Sequence, residues 1–311
     1  VTAVPDLSVV MPARNAAADV AHAVSSTLRA LPRDAELVVL DDGSSDTTSQ
    51  EVLKGAGGAD APDPRLRLLR RPPSGGITPA LTTLLAETDS RLVARMDADD
   101  VCLPWRFRTT LRRLDRGCDL VFSQVVNIVG RRPVPEVPVG IPPRAFPLHL
   151  LLTNPVSHPT AIARRELIDR VGGYRAVPAE DYDLWLRCAT AGARIRRVGV
   201  WGLLYRIHPG QITASEQWRR SSWEDSLQAE AFADLSEELV GVRLPRLVSL
   251  SLLPGPAREE GLERFRASVL PAIEALGGVQ ARFLRRRLDA RSAWVRSCPV
   301  PATGAQPGEG T

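Results

Sequence analysis

The stretch LVARMDADD, residues 92–100, decides how this chain is read. Leu92 to Met96 is a short apolar run that ends without a linker in Asp97, Ala98, Asp99 and Asp100. A strand ending in Asp-x-Asp-Asp crowds like charges, which raises each carboxyl's pKa unless something compensates. A divalent cation does so, and hard oxygen ligands suit magnesium or manganese, ions that complete their shells with water and phosphate oxygens. Taken alone, Asp-x-Asp is a common pattern that a turn or cap explains as well. Its place after a strand favours the ligand reading.

Working outward, strands alternate with helices. Leu7 to Met11 predicts a strand, Asp19 to Leu31 a helix, Glu36 to Leu40 a strand, Asp46 to Lys54 a helix, Arg65 to Leu69 a strand and Pro79 to Glu87 a helix. Such alternation predicts a parallel sheet with right-handed crossovers, whose ligands lie beyond the carboxyl ends of the strands. Asp41 and Asp42 follow one strand there as Asp97 to Asp100 follow another. The first pair could accept hydrogen bonds from a base or ribose, or form an Asx turn that caps the next helix.

Beyond Pro104 a basic helix (Trp105 to Arg116) and a strand (Leu120 to Val126) are expected, then an irregular Pro-rich stretch from Pro133 to Pro147. Helices are expected at Pro143 to Thr153, Arg164 to Val171 and Asp181 to Ala191, followed by two strands, Ile195 to Val198 and Leu203 to Ile207. From about Ser215 to Arg296 the pattern is helical, punctuated by Pro245, Pro254, Pro256 and Pro271. The expected divisions are 1–104, 105–214, a helical segment 215–298 and a disordered tail 299–311.

Composition narrows the classes. The chain has 311 residues, 44% hydrophobic and 24% charged, which is globular. A net charge of +4 is too small to argue for nucleic acid. Nine Arg against five acids fall between Arg258 and Arg296, a solvated face or a surface for peripheral membrane contact. No apolar run is long enough to span a bilayer, and Val1 to Pro12 has no secretion-signal pattern, so a cytoplasmic protein is expected. The four cysteines show no metal or redox spacing and are expected to be free thiols. P-loop, HExxH, GxSxG and GxGxxG motifs are absent.

Four motifs then compel a comparison. SVVMPARN (8–15), LVVLDDGSSDT (37–47), ARMDADD (94–100) and the segment 154–213, with NPVSHPT, VGGYR, AEDYDLWLR and YRIHPGQIT, closely resemble glycosyltransferase family 2 over residues 5 to 213. The resemblance implies a GT-A fold, an α/β nucleotide-diphospho-sugar transferase fold, here with a mostly helical C-terminal extension. It implies a metal-dependent, inverting transfer of one sugar from a nucleoside-diphosphate sugar, UDP or dTDP, to a hydroxyl acceptor: a saccharide, a lipid-linked sugar or a natural product.

By the same resemblance, Asp42 contacts the base, and Pro12, Ala13 and Arg14 line its pocket through their backbone. Asp97 approaches the ribose, with Ala98 and Arg95 beside it, and Asp99 coordinates Mn2+ or Mg2+. His208 is a candidate ligand of that metal, and Asp100 supports it. Asp181 corresponds to the base that takes the acceptor hydroxyl's proton, with Glu180 in support. Helix capping is the plain alternative for that pair, and the two roles coexist. His158 is a candidate for positioning donor or acceptor, and a structural hydrogen bond serves equally well. Arg95 and Arg71 are candidate phosphate partners, and Trp185 is expected in the core.

Two departures stand out. PALTTLL (79–85) lacks the polar pattern common after the position of Gly76, and the Gln-x-x-Arg-Trp motif of processive relatives is missing. A soluble, single-transfer enzyme is therefore expected, free or as a homo-oligomer. A silent, partner-recruiting relative would not need Asp99 and Asp181, and a sugar nucleotidylyltransferase should carry a Gly-rich basic loop where Pro12 to Asn15 stands.

Overall fold

Alternate residues of the first strands face two different helical layers, and this builds the first half of the sheet. A computed structural model describes residues 4–208, 211 and 215–299. Strands β1 (Leu7–Ala13), β2 (Ala35–Asp42), β3 (Leu66–Arg71) and β4 (Leu92–Arg95) run parallel in the order β3-β2-β1-β4. Val9, Met11, Leu37 and Val39 pack on the side of helix α1 (Val20–Ala30), with α2 (Thr48–Gly55) beside it. Val10, Val38 and Leu40 pack on Ala80, Leu81 and Leu84 of helix α3 (Ile77–Ala86). Period-two strands buried on both faces read as continuous apolar runs, which is why the segments were legible.

The sheet then changes direction. After β4 come β5 (Val101–Cys102), helix α4 (Arg106–Leu114), β6 (Leu120–Val129), β7 (Arg132–Pro135), helix α5 (Phe146–Leu152), β8 (Ile162–Arg164), α6 (Arg165–Arg170), α7 (Glu180–Thr190) and β9 (Ile195–Ile207). Antiparallel β8 pairs with β4, and the order continues β8-β6-β9-β5. A single sheet thus joins strands from both sides of residue 104.

Two expectations are corrected here. The stretch 133–147 is not wholly irregular: Pro133 and Pro135 sit in β7, an edge strand paired with β6 alone, where a missing N–H costs no ladder bond. The two strands expected at 195–198 and 203–207 are one, β9, whose pairing with β6 shifts register between Phe122 and Val125. The intervening glycines mark close approaches, not breaks: a Cβ on Gly199 would lie 2.4 Å from the Pro138 carbonyl oxygen, and one on Gly202 2.3 Å from Ser123 Oγ.

Helices α8 (Glu216–Glu224), α9 (Ser226–Val240), α10 (Leu247–Leu250), α11 (Gly255–Leu276) and α12 (Gly278–Ser297) complete the described chain. Pro271, expected to end a helix, lies inside α11. Phe232, Phe265, Leu284 and Leu288 share one core with α5 and α7, so the extension is built onto the segment 105–214. The tail expected to be disordered lies, from residue 300, outside the described residues. Cys102, Cys118 and Cys188 are buried free thiols and Cys298 is half-buried. Among the described residues no helix is long and apolar enough to cross a membrane.

Candidate active site

The end of β4 is held from below by a buried cation. Arg106 is fully buried at the start of α4, and its Nη2 donates to the Arg95 carbonyl at 2.7 Å. Burial lowers its pKa, opposed by Cys102, Asp100 and Asp97. The carboxylates of Asp97, Asp99 and Asp100 follow, each offering an oxygen within 4.8 Å of the others. Asp100 is 1% exposed; one oxygen accepts from the Arg206 N–H at 2.9 Å, and Oδ2 is buried without a hydrogen bond. Burial first, then Asp97 and Asp99, push its carboxyl well above the usual range.

Asp97 Oδ1 lies 2.6 Å from Arg95 Nη2, an ion-pair distance without hydrogen-bond alignment, so that oxygen too is left unsatisfied. His208 Nε2 stands 3.1 Å from Asp99 Oδ2, outside the tight three-carboxylate group but bonded to its most open member. Crowded hard oxygens, two of them buried without a hydrogen bond, fit a divalent cation.

Helix α7 supplies the second carboxylate. Asp183 is fully buried and ion-paired with Arg175 and with Arg187, the latter at 2.8 Å, which pins the helix. Three acids in its first turn suit the positive end of the helix dipole. Asp181 Oδ1 accepts from the Tyr182 N–H at 2.6 Å, and Oδ2 accepts from Asn154 Nδ2 at 2.9 Å. The group lies deep in the protein yet keeps part of its surface open to the cavity. Burial raises its pKa, opposed first by His158, with Glu180 adding to the rise. Glu180 is raised as well, again by burial.

His158 is fixed from three sides. Its Nε2 is 2.8 Å from Tyr174 Oη, its ring meets Trp185 edge-on at 5.6 Å, and Nδ1 is 3.6 Å from Glu180. Burial, then Arg95, lower its pKa to about 4, so at neutral pH the imidazole is uncharged and the Glu180 contact is not an ion pair. Trp185 is 1% exposed, in the core as expected.

These pieces converge. One cavity of about 800 Å³ is lined by Arg95, Asp97 and Asp99 on one side and by Asn154, His158, Glu180 and Asp181 on another. Tyr205 lines it too, its phenol pushed up by burial and by Asp97, Asp100, Asp99 and Asp181 around it.

The β1 and β2 ends are separate from that lining. Pro12 and Ala13 pair with Leu40 and Asp41, Arg14 is exposed, and Asn15 and Ser44 tie the two turns together at 3.0 Å. Asp42 is 4% exposed and accepts from Ser74 N–H at 2.7 Å and Ser74 Oγ at 2.9 Å. Asp41 accepts from the Ser44 N–H at 3.0 Å and from Ser49 Oγ, and does not cap α2, whose N-cap is Thr47. Arg71 pairs with Glu87 at 2.5 Å.

Sequence reading missed Asn154 as the partner of Asp181, Arg106 beneath the acidic strand end, and the cavity wall contributed by Trp218, Arg246 and Arg291. Asn154 opened a quoted motif and could have been found there. Arg106 carries no signal among its basic neighbours on α4.

The family model described as glycosyl transferase family 2 matches residues 8–171. The succinoglycan biosynthesis protein ExoU of Rhizobium meliloti (strain 1021) is 26% identical over 322 residues, covering 88% of this chain and 93% of that protein. The Escherichia coli enzyme WfgD, named as a UDP-Glc:alpha-D-GlcNAc-diphosphoundecaprenol beta-1,3-glucosyltransferase, is 27% identical, covering 58% of this chain and 68% of its own. Among solved structures, S. aureus TarS 1-349 in complex with UDP-GlcNAc superposes with a TM-score of 0.60 at 18% identity, covering 94% of this chain and 90% of that one. The mannosyltransferase PcManGT from Pyrobaculum calidifontis, in complex with GDP-Man and Mn2+, gives 0.53 at 21% identity, covering 94% and 84%.

Proposed function

The chain belongs to glycosyltransferase family 2 and is an enzyme with the GT-A fold, and on that premise we propose a metal-dependent, inverting transfer of one sugar from a UDP- or dTDP-sugar to a saccharide hydroxyl. The observation that carries the reading is the single cavity lined by both Asp99 and Asp181. ExoU is named for succinoglycan biosynthesis and WfgD for glucosyl transfer from UDP-Glc to alpha-D-GlcNAc-diphosphoundecaprenol, which supports a saccharide acceptor and, through WfgD, a UDP donor.

Asp99, with Asp97, Asp100 and His208 around it, would hold a divalent cation. Such an ion neutralises charge that develops on a departing diphosphate. Arg95, beside Asp97 and lining the same cavity, is a protein cation that can share that task. Asp97 and Ala98 face the ribose side, while Pro12 to Arg14 and Asp42 at the β1 and β2 ends receive the base.

Asp181 takes the proton of the acceptor hydroxyl as its oxygen attacks the anomeric carbon from the face opposite the nucleotide. One hydrogen bond to each carboxylate oxygen aims the group and leaves a lone pair on each oxygen free for that proton. Its raised pKa makes it a stronger base than a solvated Asp. Glu180 and neutral His158 wall the site and transfer no proton in this scheme.

The test is a pair of variants assayed by UDP release and by UDP binding with manganese. Asp181→Asn should lose transfer and keep binding; Asp99→Ala should lose metal-dependent binding. Normal turnover in Asp181→Asn refutes the base assignment.

A further inference from the structure

Asp19 breaks a local rule. It is the N-cap residue of α1, where an Asp side chain ordinarily accepts from a free N–H of the first turn, yet it makes no such bond. Its Oδ1 lies instead 3.1 Å from Arg206 Nη2, near the end of β9. Both side chains are about a third exposed, and an ion pair that open to water adds little stability, so stability does not account for the missing cap.

Arg206 is engaged at its other donors too. Its Nε donates to the Asp99 carbonyl and its backbone N–H to Asp100 Oδ1, both at 2.9 Å. Its own carbonyl accepts from Gln211 Nε2 at 2.9 Å, and two residues on, His208 reaches Asp99. One side chain thus joins the turn that carries the carboxylate cluster to the start of α1.

The start of α1 is fastened in turn to the other half of the proposed donor site. Asp19 N–H donates to the Ala16 carbonyl at 3.1 Å, which closes the loop onto itself. Asn15 takes a left-handed backbone, φ 50°, the only residue other than glycine to do so among the described residues. Its N–H donates to Ser44 Oγ at 3.0 Å, and its Oδ1 accepts from the Ser45 N–H at 2.9 Å. Ala16 N–H donates to Thr48 Oγ1 at 2.8 Å and Ala17 N–H to Asp46 Oδ2 at 3.2 Å. A continuous line of polar contacts therefore runs from Asp99 through Arg206 and Asp19 to the turns that follow β1 and β2.

We infer that Arg206 and Asp19 are positioning residues that couple cation binding at Asp99 to base binding at Asp42 and the Pro12 to Arg14 turn, each occupied half fixing the turn on which the other half depends. The inference rests on the proposed donor site. It adds two residues that line no part of the described cavity and act through their neighbours.

The test uses base-side ligands that carry no phosphate and so cannot reach the metal. Manganese binding to the full chain is measured by electron paramagnetic resonance alone, with saturating uridine and with saturating thymidine. In the parent at least one nucleoside should tighten manganese about fivefold, and by linkage manganese should tighten that nucleoside by the same factor. Asp19→Asn keeps a good N-cap and loses the charge, so its Tm should stay within about 4 °C of the parent while the coupling disappears. Arg206→Lys should lose the coupling as well, because one ammonium cannot replace a fork that holds the Asp99 carbonyl and the Asp19 carboxylate from two nitrogens. No effect of either nucleoside in the parent, or coupling that survives in either variant, overturns the inference. A larger fall in Tm for Asp19→Asn overturns it too, by making the pair a contact of the fold. Failure of the parent to bind UDP or dTDP with manganese would instead overturn the functional reading beneath it.

Discussion

Two strand ends in this protein both close on clustered Asp carboxylates, and they differ in how those carboxylates are hydrogen-bonded. At the end of β2, Asp41 and Asp42 are satisfied by the chain itself, through Ser44 and Ser49 for one and Ser74 for the other. At the end of β4, Asp97 and Asp100 each keep a buried oxygen with no hydrogen bond, and Asp99 stands between them. Serines make the difference: Ser44 in the following turn, Ser49 on α2 and Ser74 after β3. A carboxylate that neighbouring donors satisfy can present a rigid edge to a base, whereas a cluster left short of donors calls for a cation.

The predictions press on that contrast. Asp181→Asn, across the cavity from the β4 cluster, should lower kcat by about 10²–10⁴-fold with UDP affinity in manganese unchanged, measured by steady-state kinetics and calorimetry. Asp99→Ala should weaken UDP binding in manganese by about a hundredfold and leave binding in EDTA as in the parent, because it removes a metal ligand and not a base contact. Asp42→Asn should weaken UDP by only about tenfold, equally in manganese and in EDTA; a manganese-specific loss there would erase the distinction between the two ends.

The acid limb of kcat/KM should report Asp181 and lie above 3.8, the ordinary Asp value, since burial raises this carboxyl. Stability carries the same sign. The folded state holds the Asp181 proton more tightly than the unfolded chain does. That contribution is therefore fully present below the unfolded pKa of 3.8 and is lost as pH rises through the raised folded value. Asp181→Asn stays neutral, so its Tm at pH 7 should equal or exceed the parent's by about 1–3 °C, with the gap closing in acid. Scanning calorimetry across pH checks this, and a lower Tm at pH 7 contradicts it.

Much of this was legible because it is local. Apolar runs ending in acids gave β2 and β4, and the family resemblance singled out Asp99 and Asp181, which line one cavity. What escaped was non-local or broke a usual cue. Gly199 and Gly202 read as a strand break, but they are small so that β9 can pass close to Pro138 and Ser123. Prolines at 133 and 135 read as irregular, yet an edge strand tolerates them. Arg246 and Arg291 are two among many arginines in sequence, and only packing separates the cavity pair from the surface pairs.

The account stands on where a metal-bound diphosphate sits. An anomalous-scattering map from crystals grown with UDP and manganese should show the ion at the Asp99 carboxylate, in the cavity that Asp181 shares. An ion at Asp41 and Asp42 instead, or UDP bound with no ion near Asp99, would contradict it.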